Sequence, residues 1–218
     1  MFIAMRRVFH KRVAFGVNAG LSSDDAATLA RLSTPEKIQD FVASLGMNFE
    51  KGGDTCQSVT RTLRNGYAHC IEAAFVAAAA LWIGGSKPLL MDMQAEGDDD
   101  HVVALFRAHG CWGAISKSNH VWLRWRDPVY RTLRELAMSY FHEYTNEHKK
   151  TLRAYSASFD LRRFPAEQWL TGEEECWDIA CTLDDTRHYR LLTPAQSRAL
   201  KPRDDVEIKA GKIIEYRG

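Results

Sequence analysis

Apolar positions follow three different spacings along this chain. In the first, an Ala/Leu-rich stretch through Leu32 follows Ser22-Ser23-Asp24-Asp25, and Ile38, Phe41, Val42 and Leu45 follow Ser33-Thr34-Pro35-Glu36. Both stretches have helical spacing, so two amphipathic helices are predicted, the second with a Thr cap and Pro at its first helical position. Gly52-Gly53-Asp54 interrupts the pattern; a further helical stretch is predicted from Thr55 to Leu63, and Asn65-Gly66 turns the chain toward Cys70. From Ile71 to Ile83 the residues are apolar on every face except for Glu72, which predicts a helix buried on all sides. That run covers 13 residues, well short of the roughly 20 needed to cross a bilayer.

The second spacing is that of strands. Beyond Gly84-Gly85, Pro88 to Met93 reads as a short strand, Gln94 to Asp100 as an acidic loop, and His101 to Arg107 and Trp112 to Ser116 as two strands about a His109-Gly110 turn. A two-residue turn there sets Ala108 against Cys111 and His101 opposite Ser118, with Ser116 on the face of His101. The third stretch is mixed. Asp127-Pro128 is read as capping a helix of about four turns, on Val129, Leu133, Leu136, Ala137, Tyr140, Phe141 and Tyr144. Trp177 to Leu183, Tyr189 to Leu192 and a Val206 to Tyr216 unit around Ala210-Gly211 are read as strands and a hairpin. The resulting fold class is α+β: residues 1–150 form a core in which a central apolar helix packs on an antiparallel sheet, and residues 151–218 form a small C-terminal β-rich extension.

Composition narrows the function classes. At 218 residues and 45% hydrophobic side chains the chain can bury a substantial core without staples. Its 29 basic and 28 acidic residues leave a net charge of +1, so no global field recruits nucleic acid or an anionic membrane. Trp122, Arg124, Trp125 and Arg126 interleave aromatic and basic groups, but the balanced total favours packing or a substrate cleft over nucleic-acid stacking. Five scattered cysteines form neither a disulfide framework nor the paired spacings of structural zinc, which points to reduced thiols and a cytoplasmic chain. Met1 to Arg7 places its charges after a short apolar patch, the reverse of a secretory signal.

Metal and cofactor chemistry find no motif. His69 beside Cys70 lacks a second ligand pair, and Asp98-Asp99-Asp100 lacks the spaced ligands of a calcium loop. There is no Gly-rich phosphate loop, Walker-type lysine or Gly-x-Ser-x-Gly elbow. No metal and no cofactor are expected.

One pair of residues does point to chemistry. Cys70 opens the apolar helix, where unpaired N–H groups and a partial positive charge favour a thiolate, and His101 opens the first strand of the hairpin. An imidazole brought against such a thiol makes a thiolate–imidazolium pair, and a carboxylate or amide behind the ring would fix its tautomer. The backbone N–H of Cys70 and the Gln57 side chain are candidate oxyanion donors, and Trp112 and Trp122 are candidate substrate-contacting aromatics.

The run Asn65-Gly66-Tyr67-Ala68-His69-Cys70-Ile71-Glu72-Ala73-Ala74, then Gly84-Gly85, His101-Val102-Val103-Ala104-Leu105-Phe106 and Trp112-Gly113-Ala114-Ile115, resembles the core of the bacterial transglutaminase-like superfamily across about residues 35–125. That resemblance implies a papain-type site in which cysteine opens a helix and histidine and aspartate lie on adjoining strands. The aspartate usual four residues after the hairpin tryptophan is replaced here by Ser116. The substitutes for it are Ser116 and Asn119, of which Asn119 is preferred for its amide oxygen, as in Cys-His-Asn sites. The implied activity is cysteine-dependent acyl transfer or hydrolysis of a peptide, protein or small amide or acyl substrate. The alternative is a catalytically degenerate binding or scaffold protein of the same fold.

Overall fold

The computed structural model describes residues 2–217 and is an α+β fold built around one antiparallel sheet. In chain order its strands are β1 Gly46–Met47, β2 Tyr67–Ala68, β3 Leu89–Ala95, β4 His101–Ala108, β5 Cys111–Ile115, β6 Arg126–Tyr130, β7 Leu152–Ser156, β8 Phe159–Asp160 and β9 His188–Arg190. β1 and β2 pair in parallel beside the site, and the main sheet runs β6-β5-β4-β3-β7-β9, with β8 also on β3. The helices are α1 Phe2–Asn18, α2 Ser23–Arg31, α3 Pro35–Ser44, α4 Val59–Asn65, α5 Cys70–Ile83, α6 Leu133–Met138, α7 Ala166–Leu170, α8 Trp177–Asp184, α9 Pro194–Arg198 and α10 Asp205–Gly211.

Helix α5 is the axis of the fold. Its Ala-rich sequence has high helix propensity and no polar face, so it needs partners all round; α1 to α4 and α7 cover it on one side and β4 on the other. It stops at a left-handed glycine: Gly85 has φ +96°, Ser86 N–H donates to Leu81 O and Gly85 N–H to Trp82 O, both at 2.9 Å. Ser22 and Thr34 cap α2 and α3 as their positions predict, accepting from Asp25 N and Lys37 N.

Strand alternation divides the interior. Leu90, Val102, Ala104 and Phe106 face α5, whereas Met91, Met93, Val103 and Leu105 face a second cluster with Leu136, Ala137, Tyr140 and Phe141. The β4–β5 connection is the two-residue turn, with positive φ at both His109 (51°) and Gly110 (80°) and Ala108 paired with Cys111.

Two expectations are corrected. The segment 127–144 is not one helix: Arg126–Tyr130 is an edge strand on β5, and only Leu133–Met138 is helical, capped by Thr132. Pro128 lacks an N–H to donate and fits an edge strand. The C-terminal part is not a β-rich extension either. Trp177–Asp184 and Asp205–Gly211 are helices, and β7 and β9 extend the central sheet from β3, so residues after 150 complete the core sheet. The helix α1 at Phe2–Asn18, packed on α2, was not anticipated. Among the described residues no helix is long and apolar enough to cross a membrane.

Candidate active site

The N-terminus of α5 meets the start of β4 at a cleft of about 490 Å³ whose walls include His69, Cys70, His101, Trp122 and Tyr144. Cys70 is the first residue of the helix, and the chain reaches it through the left-handed cap of α4 at Gly66 (φ 72°) and the short β2. His101 is 5% exposed, so its ring works against fixed neighbours rather than bulk water. Tyr144 stands edge-on to that ring, with centroids 6.5 Å apart.

The hydrogen bonds of His101 define its tautomer. Nε2 lies 2.6 Å from Ser116 Oγ and 3.2 Å from the Leu123 carbonyl, and Ser116 Oγ itself donates to that carbonyl at 3.0 Å. A carbonyl only accepts, so Nε2 carries the hydrogen and Ser116 Oγ receives it. Nδ1 is left as the basic nitrogen for Cys70. Ser116, the residue just after β5, and Leu123, on the turn Val121–Leu123, thus lock the ring without a carboxylate behind it.

The thiols respond to their surroundings in opposite directions. Burial drives Cys56 up, and drives Cys176 up to about 11. Burial is also the largest influence on Cys70 and also acts upward, but hydrogen bonds and charge from His101 and His69 overcome it and bring the thiol down to about 5. A thiol lowered in this way beside two imidazoles in a cleft is a candidate nucleophile.

Beside this pair is a network that sequence reasoning missed. Glu72, the one charged residue of α5, is wholly buried and accepts from Asn48 Nδ2 (3.0 Å), Thr55 Oγ1 (2.8 Å), Gln57 N–H (3.1 Å) and His69 N–H (3.0 Å). The signal was available: a lone carboxylate at the third position of an apolar helix has the placement of a capping box. A separate buried carboxylate is Asp92 on β3, against His188 Nε2 at 3.1 Å. Burial first, then repulsion from Asp100, pushes its carboxyl up to about 6, with the Cys70 charge adding to the rise.

The other candidate residues are dispersed. Asn119 is tied to the C-terminal segment, donating to Tyr216 O (2.9 Å) and accepting from the N–H groups of Glu215 and Tyr216, so the contact to His101 comes from Ser116 and not from the preferred Asn119. Gln57 is 2% exposed, its Oε1 accepts from Asn65, and it is not a wall of the cleft. Trp122 lines the cleft at 46% exposure, whereas Trp112 packs on the second core cluster under the Arg107 guanidinium, 4.9 Å from its ring centroid. Asp98 to Asp100 form part of the cleft wall.

The Asp92 carboxyl makes a pH prediction. Its folded pKa lies above the unfolded carboxylate value, so it favours the fold below about pH 4 and opposes it increasingly as pH rises through about 6. Asp92→Asn is expected to raise Tm relative to the parent at pH 8 and to lose that advantage by pH 4, which calorimetry at the two pH values reads directly.

No protein-family model matches this chain, and no curated protein matches it.

Proposed function

We propose that the protein is a cysteine-dependent acyl-transfer or amide-hydrolysing enzyme acting through Cys70 and His101 in a transglutaminase-like arrangement. The observation that carries this reading is the Cys70 thiol held down to about 5 at a helix N-terminus facing a cleft, beside an imidazole whose free nitrogen is the basic one. In the reaction, the proton that Cys70 has given up rests on His101 Nδ1, the thiolate attacks the carbonyl carbon, and the oxyanion forms against the N–H groups at the start of α5. Collapse breaks the carbon–nitrogen bond, and the leaving amine takes its proton from His101. Water or an acceptor amine, deprotonated by the same ring, then releases the acyl group from sulfur.

The test is to incubate the protein with an activated acyl ester and with peptide amides. Mass spectrometry should find one acyl group on Cys70, and Cys70→Ala should remove both that adduct and turnover. Turnover that survives Cys70→Ala, or no adduct and no turnover across the panel, would remove the enzymatic reading and leave a binding role for the fold.

Ser116 has a measurable share in this scheme. Ser116→Ala leaves the Leu123 carbonyl as the sole hydrogen-bond partner of His101 Nε2, and losing one neutral hydrogen bond of about 1 kcal/mol should lower kcat on the order of fivefold with little change in KM. Steady-state kinetics on an amide substrate would show it.

A further inference from the structure

Resting on the reading of Cys70 as nucleophile, we propose that His69 is a second catalytic imidazole, a resident cation that stabilises the Cys70 thiolate while His101 alone carries protons. The extended backbone of His69 (φ −98°, ψ −168°) places its ring in the cleft wall next to the sulfur. Its Nε2 lies 2.8 Å from the Thr55 carbonyl, which only accepts, so Nε2 carries a hydrogen. Two carboxylate oxygens flank the same nitrogen, Glu72 Oε1 at 3.5 Å and Glu50 Oε1 at 3.6 Å. With Nε2 committed there, Nδ1 is left on the edge toward Cys70 and the first turn of α5, and two carboxylates flanking Nε2 favour the ring as imidazolium.

The surroundings are built for that charge. Glu72 is held ionised by its four donors, and Glu50 adopts φ +51°, a conformation that non-glycine residues seldom take, while receiving the Thr55 N–H at 2.8 Å. His101, Lys117 and Asp98 to Asp100 line the same cleft, and Asp92 opposes the thiolate from β3. Burial pulls His69 downward, yet its bond to Cys70, the charges of Cys70 and Glu72, and the Thr55 carbonyl raise it to about 9. His101 has neutral partners instead, Ser116 and Leu123, which suits a group that must gain and lose a proton. His69 therefore keeps both its protons through the cycle: the proton given up by Cys70 rests on His101 Nδ1 before substrate binds, and the leaving amine collects it there.

The experiment is the rate of Cys70 alkylation by iodoacetamide against pH in the full-length protein, its His69→Gln variant and its Glu50→Gln variant, with circular dichroism as the check on folding. The parent should inflect near about 5. His69→Gln should move that inflection upward by about one to three units, the effect of an opposite charge at close range, and Glu50→Gln should move it by less in the same direction. A folded His69→Gln protein with the parent's profile would overturn the proposal. If that variant does not fold, an unmoved Glu50→Gln profile overturns it as well. A parent that inflects near an ordinary thiol value of about 8.5 instead removes the underlying reading of Cys70, so the two failures are distinguishable.

Discussion

His101→Asn is expected to lower the acylation rate on an amide substrate by about 100- to 10,000-fold, the usual share of a positioned acid–base group, and to cost far less on an activated ester. The difference follows from what His101 is placed to do. Its Nε2 hydrogen is fixed by Ser116 and Leu123, so Nδ1 is the atom that accepts the thiol proton and later delivers it to the leaving group. An amide leaves as an amine and must be protonated as the carbon–nitrogen bond breaks. A nitrophenolate leaves unprotonated, so an ester needs only the thiolate and the oxyanion site. His69, still charged in this variant, continues to support that thiolate. Single-turnover acylation rates on matched amide and ester substrates make the measurement. Equal losses on both would mean that His101 only supports the sulfur, and would shift the acid–base role elsewhere in the cleft.

The placement of these groups was partly written in the chain. Cys70 and His101 were legible because each opens an element with a strong pattern: an apolar helix needs no tertiary context to be recognised, and a hairpin with His109-Gly110 at its tip sets its own register. That same register had already placed Ser116 on the face of His101. Preference for an amide carried the expectation past it to Asn119, whose side chain is claimed by Glu215 and Tyr216, 96 and 97 residues downstream. Contacts of that range leave no local trace. The sequence offers His69 only as a metal-ligand candidate because its partners, a carbonyl at position 55 and carboxylates at 50 and 72, are gathered by the folded loop before α4 and the first turn of α5.

Elsewhere local pattern and folded element diverge for other physical reasons. In α10, Asp204 and Glu207 form a capping box whose signature is present in the sequence, but alternation of apolar residues from Val206 to Tyr216 mimics a strand. In α8, Ile179 and Leu183 are buried four residues apart, a helical interval hidden in a run rich enough in apolar residues to pass for a strand. At Pro128 the opposite happened: three- and four-residue steps looked helical, while the edge of a sheet offered a place where proline costs nothing.

Glu72→Ala is expected to destabilise the fold by about 3–5 kcal/mol, the range for removing one partner of a buried charged network, or a fall in Tm of about 10 °C for a chain of this size. The carboxylate is the common acceptor for Asn48, Thr55, the Gln57 N–H and the His69 N–H, so its loss leaves four donors unmatched at the point where α5 begins. Glu72→Gln keeps the shape and one acceptor but turns an NH₂ group toward donors, and should fall between the parent and the alanine variant. The sign of the pH dependence separates charge from packing. Burial acts to raise the Glu72 carboxyl, but the His69 charge and the hydrogen bonds from Asn48, His69 and Thr55 hold it below its unfolded value. Its contribution is therefore present above the ordinary carboxylate range and is lost as pH falls through the folded value. The gap in Tm between the parent and Glu72→Gln should narrow as pH drops below about 4, the ordinary range for glutamate, and stay wide at pH 7. A gap that held constant into acid would assign Glu72 to packing alone and would remove the anion on which His69 depends.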